Sequence, residues 1–193
     1  MRQLVVSTFV SLDGVMQAPG GPSEDPTGGF AHGGWLPQFF DEDVGEAIDA
    51  FFGDQYDLLL GRRTYDIFAA HWPFVPEDDE IGQLFRTITK YVVTSSDAPL
   101  GWAGSERLAD IDAVAALKAQ DGPNLVIQGS STLYPQLLGR GLIDRLIMMT
   151  APVVSSSGPP GACMTPSSER KAAPMILRGM SAPSGSPPAC RRC

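Results

Sequence analysis

Leu58-Leu59-Leu60-Gly61-Arg62-Arg63-Thr64-Tyr65 decides the fold. Three leucines run into a glycine, and two arginines and a hydroxyl residue follow. A short, continuous apolar run reads as a strand buried on both faces. The change of character at Gly61 reads as the strand's end, with a helix opening near Thr64. Backbone N–H groups at a helix start, with the Thr64 hydroxyl, make an anion site, and Arg62 and Arg63 add positive charge. The same residues also fit a plain strand–helix turn with two solvated arginines, and alone they leave the two readings even.

Working outward, strand and helix signals alternate. Gln3–Ser11 is rich in β-branched residues and predicts a strand. A long Gly/Pro loop follows over residues 14–38, and loops of that length are usually functional or mobile. Asp41 caps an expected helix through about Phe52, with Val44 and Ile48 on one face. The central strand covers Asp57–Leu60, its helix runs to about Ala70, and Glu77–Thr87 is a weaker helix. Tyr91–Thr94 and Leu125–Gln128 read as buried strands. Between them Asp110 caps a helix that Gly122-Pro123 stops. A helix through Leu138 and a last strand over Asp144–Val154 complete the pattern. Alternation of this kind implies an α/β domain with a mainly parallel sheet flanked by helices.

Charge and cysteine usage narrow the function. The chain carries a net charge of −8, but residues 155–193 hold five Lys/Arg against one Glu, leaving −12 on the first 154 residues. An acidic body repels a phosphate backbone, so nucleic acid is not an expected partner. No apolar run is long enough for a membrane span, the N-terminus does not read as a secretory signal, and a cytoplasmic protein is expected. Cys163, Cys190 and Cys193 all lie near the end, and His32 and His71 are the two histidines. Neither a disulfide framework nor a metal site is expected.

Three further motifs accompany the opening one. Val126-Ile127-Gln128-Gly129-Ser130-Ser131-Thr132-Leu133 brings a strand into a small-residue turn that a pyrophosphate can approach closely. It is not the G-x-G-x-x-G fingerprint. Val92-Val93-Thr94-Ser95-Ser96 places hydroxyls just past a strand, as a phosphate site or a polar turn. Ser11-Leu12-Asp13-Gly14 closes the first strand, and Asp13 either orients a substrate or caps the turn. In the loop beyond, Phe30, His32 and Trp35 either cover a flat ligand or pack the loop down. All these turns lie at carboxyl ends of strands, where open α/β sheets bind ligands.

Taken in order, these segments, with Gly141-Leu142-Ile143-Asp144-Arg145-Leu146, resemble the dihydrofolate reductase-like family over residues 1–154, in particular its riboflavin-biosynthesis reductase (RibD C-terminal) branch. The resemblance implies a dihydrofolate reductase-like sheet and an NADPH-dependent reductase. Its substrate would be a small, heterocyclic molecule, as in 5-amino-6-(5-phosphoribosylamino)uracil or dihydrofolate reduction. By position, Gly61, Arg62 and Thr64 would face the cofactor phosphates, Ser95 and Ser96 the adenosine 2′-phosphate, and Gly129, Ser130 and Ser131 the pyrophosphate. His32 and Trp35 would line the substrate pocket, and the proton donor is open between water and Asp13. A homodimer is expected by family analogy.

Two departures stand beside the likeness. Dihydrofolate reductases carry a pterin-orienting carboxylate on the helix after the first loop, and Asp49 lies on the corresponding helix here without a matching motif around it. After Ala151-Pro152-Val153-Val154, relatives continue into a final antiparallel hairpin. Here 19 of residues 155–193 are Pro, Gly or Ser, a composition that predicts disorder and resembles an out-of-frame tail. The rival reading is therefore a truncated, inactive nucleotide-binding remnant, and a third is a ligand-binding protein without chemistry.

Overall fold

The computed structural model describes residues 1–46 and 55–155. The expected tail, Asp49 and the second half of the Asp41 helix lie outside them. Six strands form one sheet: β1 (Leu4–Ser11), β2 (Tyr56–Gly61), β3 (Lys90–Val93), β4 (Ser105–Leu108), β5 (Asn124–Gln128) and β6 (Arg145–Ala151). Their order is β4-β3-β2-β5-β1-β6, and every pairing is parallel. Among the described residues the sheet is flanked by α1 (Arg62–Ala69), α2 (Glu80–Thr87), α3 (Ile111–Ala119) and α4 (Tyr134–Gly139), besides the helical turn after Asp41.

The central strands carry unbroken apolar runs, Leu4-Val5-Val6, Leu58-Leu59-Leu60 and Leu125-Val126-Ile127, because both faces are covered there. In β1, Leu4 and Val6 join the core under α3 and α4, while Val5 joins the core under α1 and α2. Leu59 faces the first layer; Leu58 and Leu60 face the second. Leu125 and Ile127 of β5 face the first, and Val126 the second. Ile111, Val114, Leu117 and Leu137 close one face, and Tyr65 and Phe85 close the other.

The expected α/β architecture holds, with shifts at its margins. α1 begins at Arg62, two residues before Thr64, because Gly61 is still extended and acts as the N-cap. α3 stops at Ala119, ahead of Gly122-Pro123. The last strand ends at Ala151. There the chain turns, and the Val153 N–H donates to the Ala151 carbonyl while Val153 accepts from Leu12. β4 was not foreseen: its four residues are mostly polar and partly exposed, so they lack the apolar run that marks the central strands.

The loop over residues 14–38 is not structureless. Gly34 and Leu36 donate backbone hydrogen bonds to Ala18 and Pro19, and Glu24 accepts from the Gly20 and Gly21 N–H groups. A Cβ at Gly33 would lie 2.7 Å from the Gly21 carbonyl oxygen, so the two plies approach more closely than any other residue permits. Asp41 caps the helix that follows, accepting from Val44 N–H at 3.0 Å. Among the described residues no helix is long and apolar enough to cross a membrane, and no group of three His, Cys, Asp or Glu is placed to hold a metal ion.

Candidate active site

Because every strand points the same way, the scattered turns collect at one edge of the sheet. In spatial order they are the Thr94–Ala98 turn after β3, Gly61 at the end of β2, Gly129–Ser130 after β5, and Ser11–Asp13 at the end of β1. Three strand spacings separate β3 from β1, about 14 Å in all. The long loop packs over the β1–β6 end, burying Trp35 and Leu36 against Ala151 and Val153, with Phe9 and Phe30 beside them.

The middle of this row is a knot. The Thr64 hydroxyl accepts from the Ser130 N–H at 3.0 Å, and the Ser130 hydroxyl accepts from the Gly61 N–H at 2.9 Å. Gly129 and Ser130 both take left-handed backbone conformations, φ 59° and 52°. A Cβ on Gly129 would lie 3.2 Å from Thr64 Cγ2, so the glycine keeps this approach open. Ser131 follows, exposed, at the start of a short 3-10 turn. Gly61, Thr64, Gly129 and Ser130 are thus brought together, and Thr64 and Ser130 hold each other.

At the β3 end, Ser95 and Ser96 are exposed. Ser96 shapes the turn: its N–H donates to Thr94 Oγ1 at 3.1 Å, and its hydroxyl accepts from the Ala98 N–H at 3.2 Å. Two guanidiniums converge on this turn. Arg62 Nη1 lies 3.3 Å from the Ala98 carbonyl, and Arg107 Nη2 lies 2.9 Å from the same oxygen. Arg107, on β4, also donates to the Ser96 carbonyl. Each arginine at this edge is paired with an aspartate: Arg62 with Asp66, Arg63 with Asp25, and Arg107 with Asp97.

At the β1 end, Asp13 Oδ1 accepts from the Ser11 hydroxyl and from the Ser155 N–H at 3.0 Å, tying the turn to the chain leaving β6. Of the two readings of Trp35, the geometry realises packing: the ring is 4% exposed and its Nε1 donates to the Gln17 carbonyl. His32 is exposed, edge-on to Phe30. Asp25 fastens the loop to α1 through Arg63 Nη2 at 2.7 Å. Burial pushes the Asp25 carboxyl up, but hydrogen bonds from Thr27 and Arg63 outweigh it and leave the group below the usual carboxylate range.

Sequence reasoning missed two residues of this edge. Arg107 was invisible because β4 was. Tyr134 stands one residue past the quoted turn; its hydroxyl donates to the Gly129 carbonyl at 2.6 Å, and burial pushes its pKa up to about 12 against an opposing hydrogen bond with Thr8. A hollow of about 500 Å³ beside Trp102 and Phe74 lies elsewhere. It is lined by Ala69, at the far end of α1, and by Ala103, just before β4, which puts it at the amino end of the strands.

Comparison with known proteins adds to this geometry. The family model described as RibD C-terminal domain matches residues 2–165. Two proteins of Bacillus subtilis (strain 168) are similar. Uncharacterized protein YwjB is 29% identical over 164 residues, 82% of each chain. Uncharacterized protein YyaP is 22% identical over 166 residues, 82% of this chain and 79% of that protein. Among solved structures, a dihydrofolate reductase from Enterococcus faecalis complexed with NADP(H) and RAB-propyl aligns with 16% identity and a TM-score of 0.49. The alignment covers 81% of this chain and 74% of that one.

Proposed function

The chain belongs to the RibD C-terminal domain family, and from that premise we propose that it is an NADPH-dependent reductase acting on a small heterocyclic substrate of the aminouracil or pterin type. The observation that carries this reading is the row of turns along one sheet edge, with convergent arginines at β3, a glycine turn packed against α1 at β5 and a carboxylate at β1. Strand carboxyl ends are where parallel α/β sheets take up ligands.

The residues present fit the cofactor. Gly129 lacks the Cβ that would crowd Thr64, which lets the β5 turn sit against the start of α1. Gly61, Thr64, Gly129, Ser130 and Ser131 would hold the pyrophosphate, the Thr64–Ser130 bond fixing the turn in advance. Arg62, Ser95 and Ser96 would hold the adenosine 2′-phosphate. When bound, NADPH supplies a hydride. The protein's own part is to orient and enclose. Asp13, fixed through Oδ1, would orient the substrate at the β1 end, with His32 on the loop above it. Trp35 would support that wall from within, since it is buried against Ala151 and Val153.

The test is titration of the full chain with NADPH and NADH, followed by fluorescence, then single-turnover oxidation of bound NADPH in the presence of candidate aminouracils and pterins. Tighter binding of NADPH, roughly tenfold for one added charge-assisted phosphate contact, is expected. A chain that binds neither dinucleotide is not a reductase of this kind.

A further inference from the structure

The β3–β4 end holds a charge arrangement that the row of turns does not by itself explain. Arg62 and Arg107 reach the Ala98 carbonyl from α1 and β4, on opposite sides of the turn. Their carboxylate partners differ. Asp66 is on Arg62's own helix, four residues on, with both oxygens on Nε. Asp97 sits at the tip of the turn, meets Arg107 through a single contact at 3.1 Å, and its side chain is fully exposed, while the Arg107 side chain is 31% exposed. An exposed ion pair of that kind contributes little because water and salt screen it. Contact with a phosphate oxygen is the stronger bond. The two backbone carbonyls that Arg107 also holds, Ser96 and Ala98, keep the guanidinium in place when Asp97 leaves.

Resting on the reductase reading, we propose that Arg107 is a specificity-determining residue for the adenosine 2′-phosphate, and that Asp97 is its exchangeable placeholder. In the free protein Asp97 occupies one edge of the guanidinium; the incoming phosphate displaces it, while the rest of the fork goes on holding the turn that carries Ser95 and Ser96. Selectivity for the phosphorylated dinucleotide then depends on two arginines from separate elements, and Asp97 weakens binding by the strength of the pair that must be broken.

The experiment is isothermal titration of the full chain with 2′,5′-ADP and with ADP, at constant ionic strength, for wild type, Arg107→Ala, Asp97→Asn and the double variant. Arg107→Ala is expected to weaken 2′,5′-ADP about tenfold and to leave ADP within twofold; if Arg107 only held the turn that carries Ser95 and Ser96, Asp97→Asn would not tighten 2′,5′-ADP, and that result overturns the inference. Asp97→Asn is expected to tighten 2′,5′-ADP a few-fold, and to do so only while Arg107 is present, so the double variant should match Arg107→Ala. Equal losses for the two ligands, or an Asp97→Asn gain that persists without Arg107, overturn the inference while leaving the reductase reading intact. A wild-type chain that binds ADP but does not prefer 2′,5′-ADP overturns both the NADPH preference and this inference.

Discussion

The Thr64 hydroxyl accepts the Ser130 N–H at 3.0 Å, joining the start of α1 to the turn after β5 across 66 residues of chain. Ser130 has a left-handed backbone and is 8% exposed, so its N–H has little access to water. Thr64→Val keeps the shape and removes the acceptor. The expected loss is about 1–3 kcal/mol, the penalty of an unsatisfied buried donor. Thr64→Ser should recover most of it. Urea unfolding of the three proteins checks this, and a valine variant as stable as the serine one would show that the bond is not holding the turn.

Gly129 makes a second, independent test of the same turn. Its φ of 59° is accessible to other residues only at a penalty, and an added Cβ would lie 3.2 Å from Thr64 Cγ2 and 3.3 Å from Oγ1. Gly129→Ala therefore carries both backbone strain, about 1–2 kcal/mol, and a push on Thr64. Lower stability with a larger proportional loss of NADPH affinity is expected. Thermal melting with and without NADPH separates the two: the ligand-induced rise in Tm should shrink along with the baseline. An undiminished rise would mean the turn does not face the cofactor.

Much of this edge was legible because parallel strands buried on both faces announce themselves. Leu58-Leu59-Leu60 and Leu125-Val126-Ile127 are apolar without interruption; the first runs straight into Gly61, and the second reaches Gly129 after Gln128. What sequence could not give is which side chains hold the turns together and which are left facing a ligand. Thr64 and Ser130 read as phosphate contacts, yet each hydroxyl accepts a bond from the other segment. Arg107 was hidden because β4 is short and polar. Trp35 reads as a substrate-pocket residue or as loop packing, and only the positions of Ala151 and Val153 show it packed into the core.

At the opposite end of the sheet, Arg2 and Asp57 form a buried ion pair, with side chains 3% and 9% exposed. Asp57 also accepts the Thr89 N–H at 3.0 Å, and the Arg2 guanidinium lies 5.3 Å from the Tyr91 ring centre. Asp57→Ala strands a buried cation and an amide donor together, and is expected to destabilise the domain by about 3–5 kcal/mol. Replacing both partners by apolar residues, as in R2M with D57L, should be milder, because the guanidinium goes with its carboxylate and only the Thr89 N–H and Lys90 lose Asp57. Urea midpoints of the single and double variants decide it; a single variant within about 1 kcal/mol of wild type would mean that the pair behaves as an exposed one.

Tyr134 gives the stability a signature at alkaline pH. Its hydroxyl donates to the Gly129 carbonyl and its pKa is pushed from 10 up to about 12, mainly by burial. In the unfolded chain the phenol ionises near 10, while the folded protein keeps it neutral. Above pH 10 the unfolded state binds fewer protons, so the stabilisation present below 10 is lost as pH rises toward about 12. Lys90 acts with the opposite sign. Burial lowers its pKa despite the nearby charge of Asp57, so between that lowered value and 10.5 the unfolded state holds the extra proton and stability rises with pH. The expected profile climbs toward pH 10 and falls beyond it. Tyr134→Phe should flatten the descending limb and leave the ascending one, and Lys90→Met should do the reverse. Unfolding free energies measured at several pH values for wild type and both variants are the check. A descending limb that survives in the phenylalanine protein would assign it to another group and place the Tyr134 hydroxyl in free contact with water.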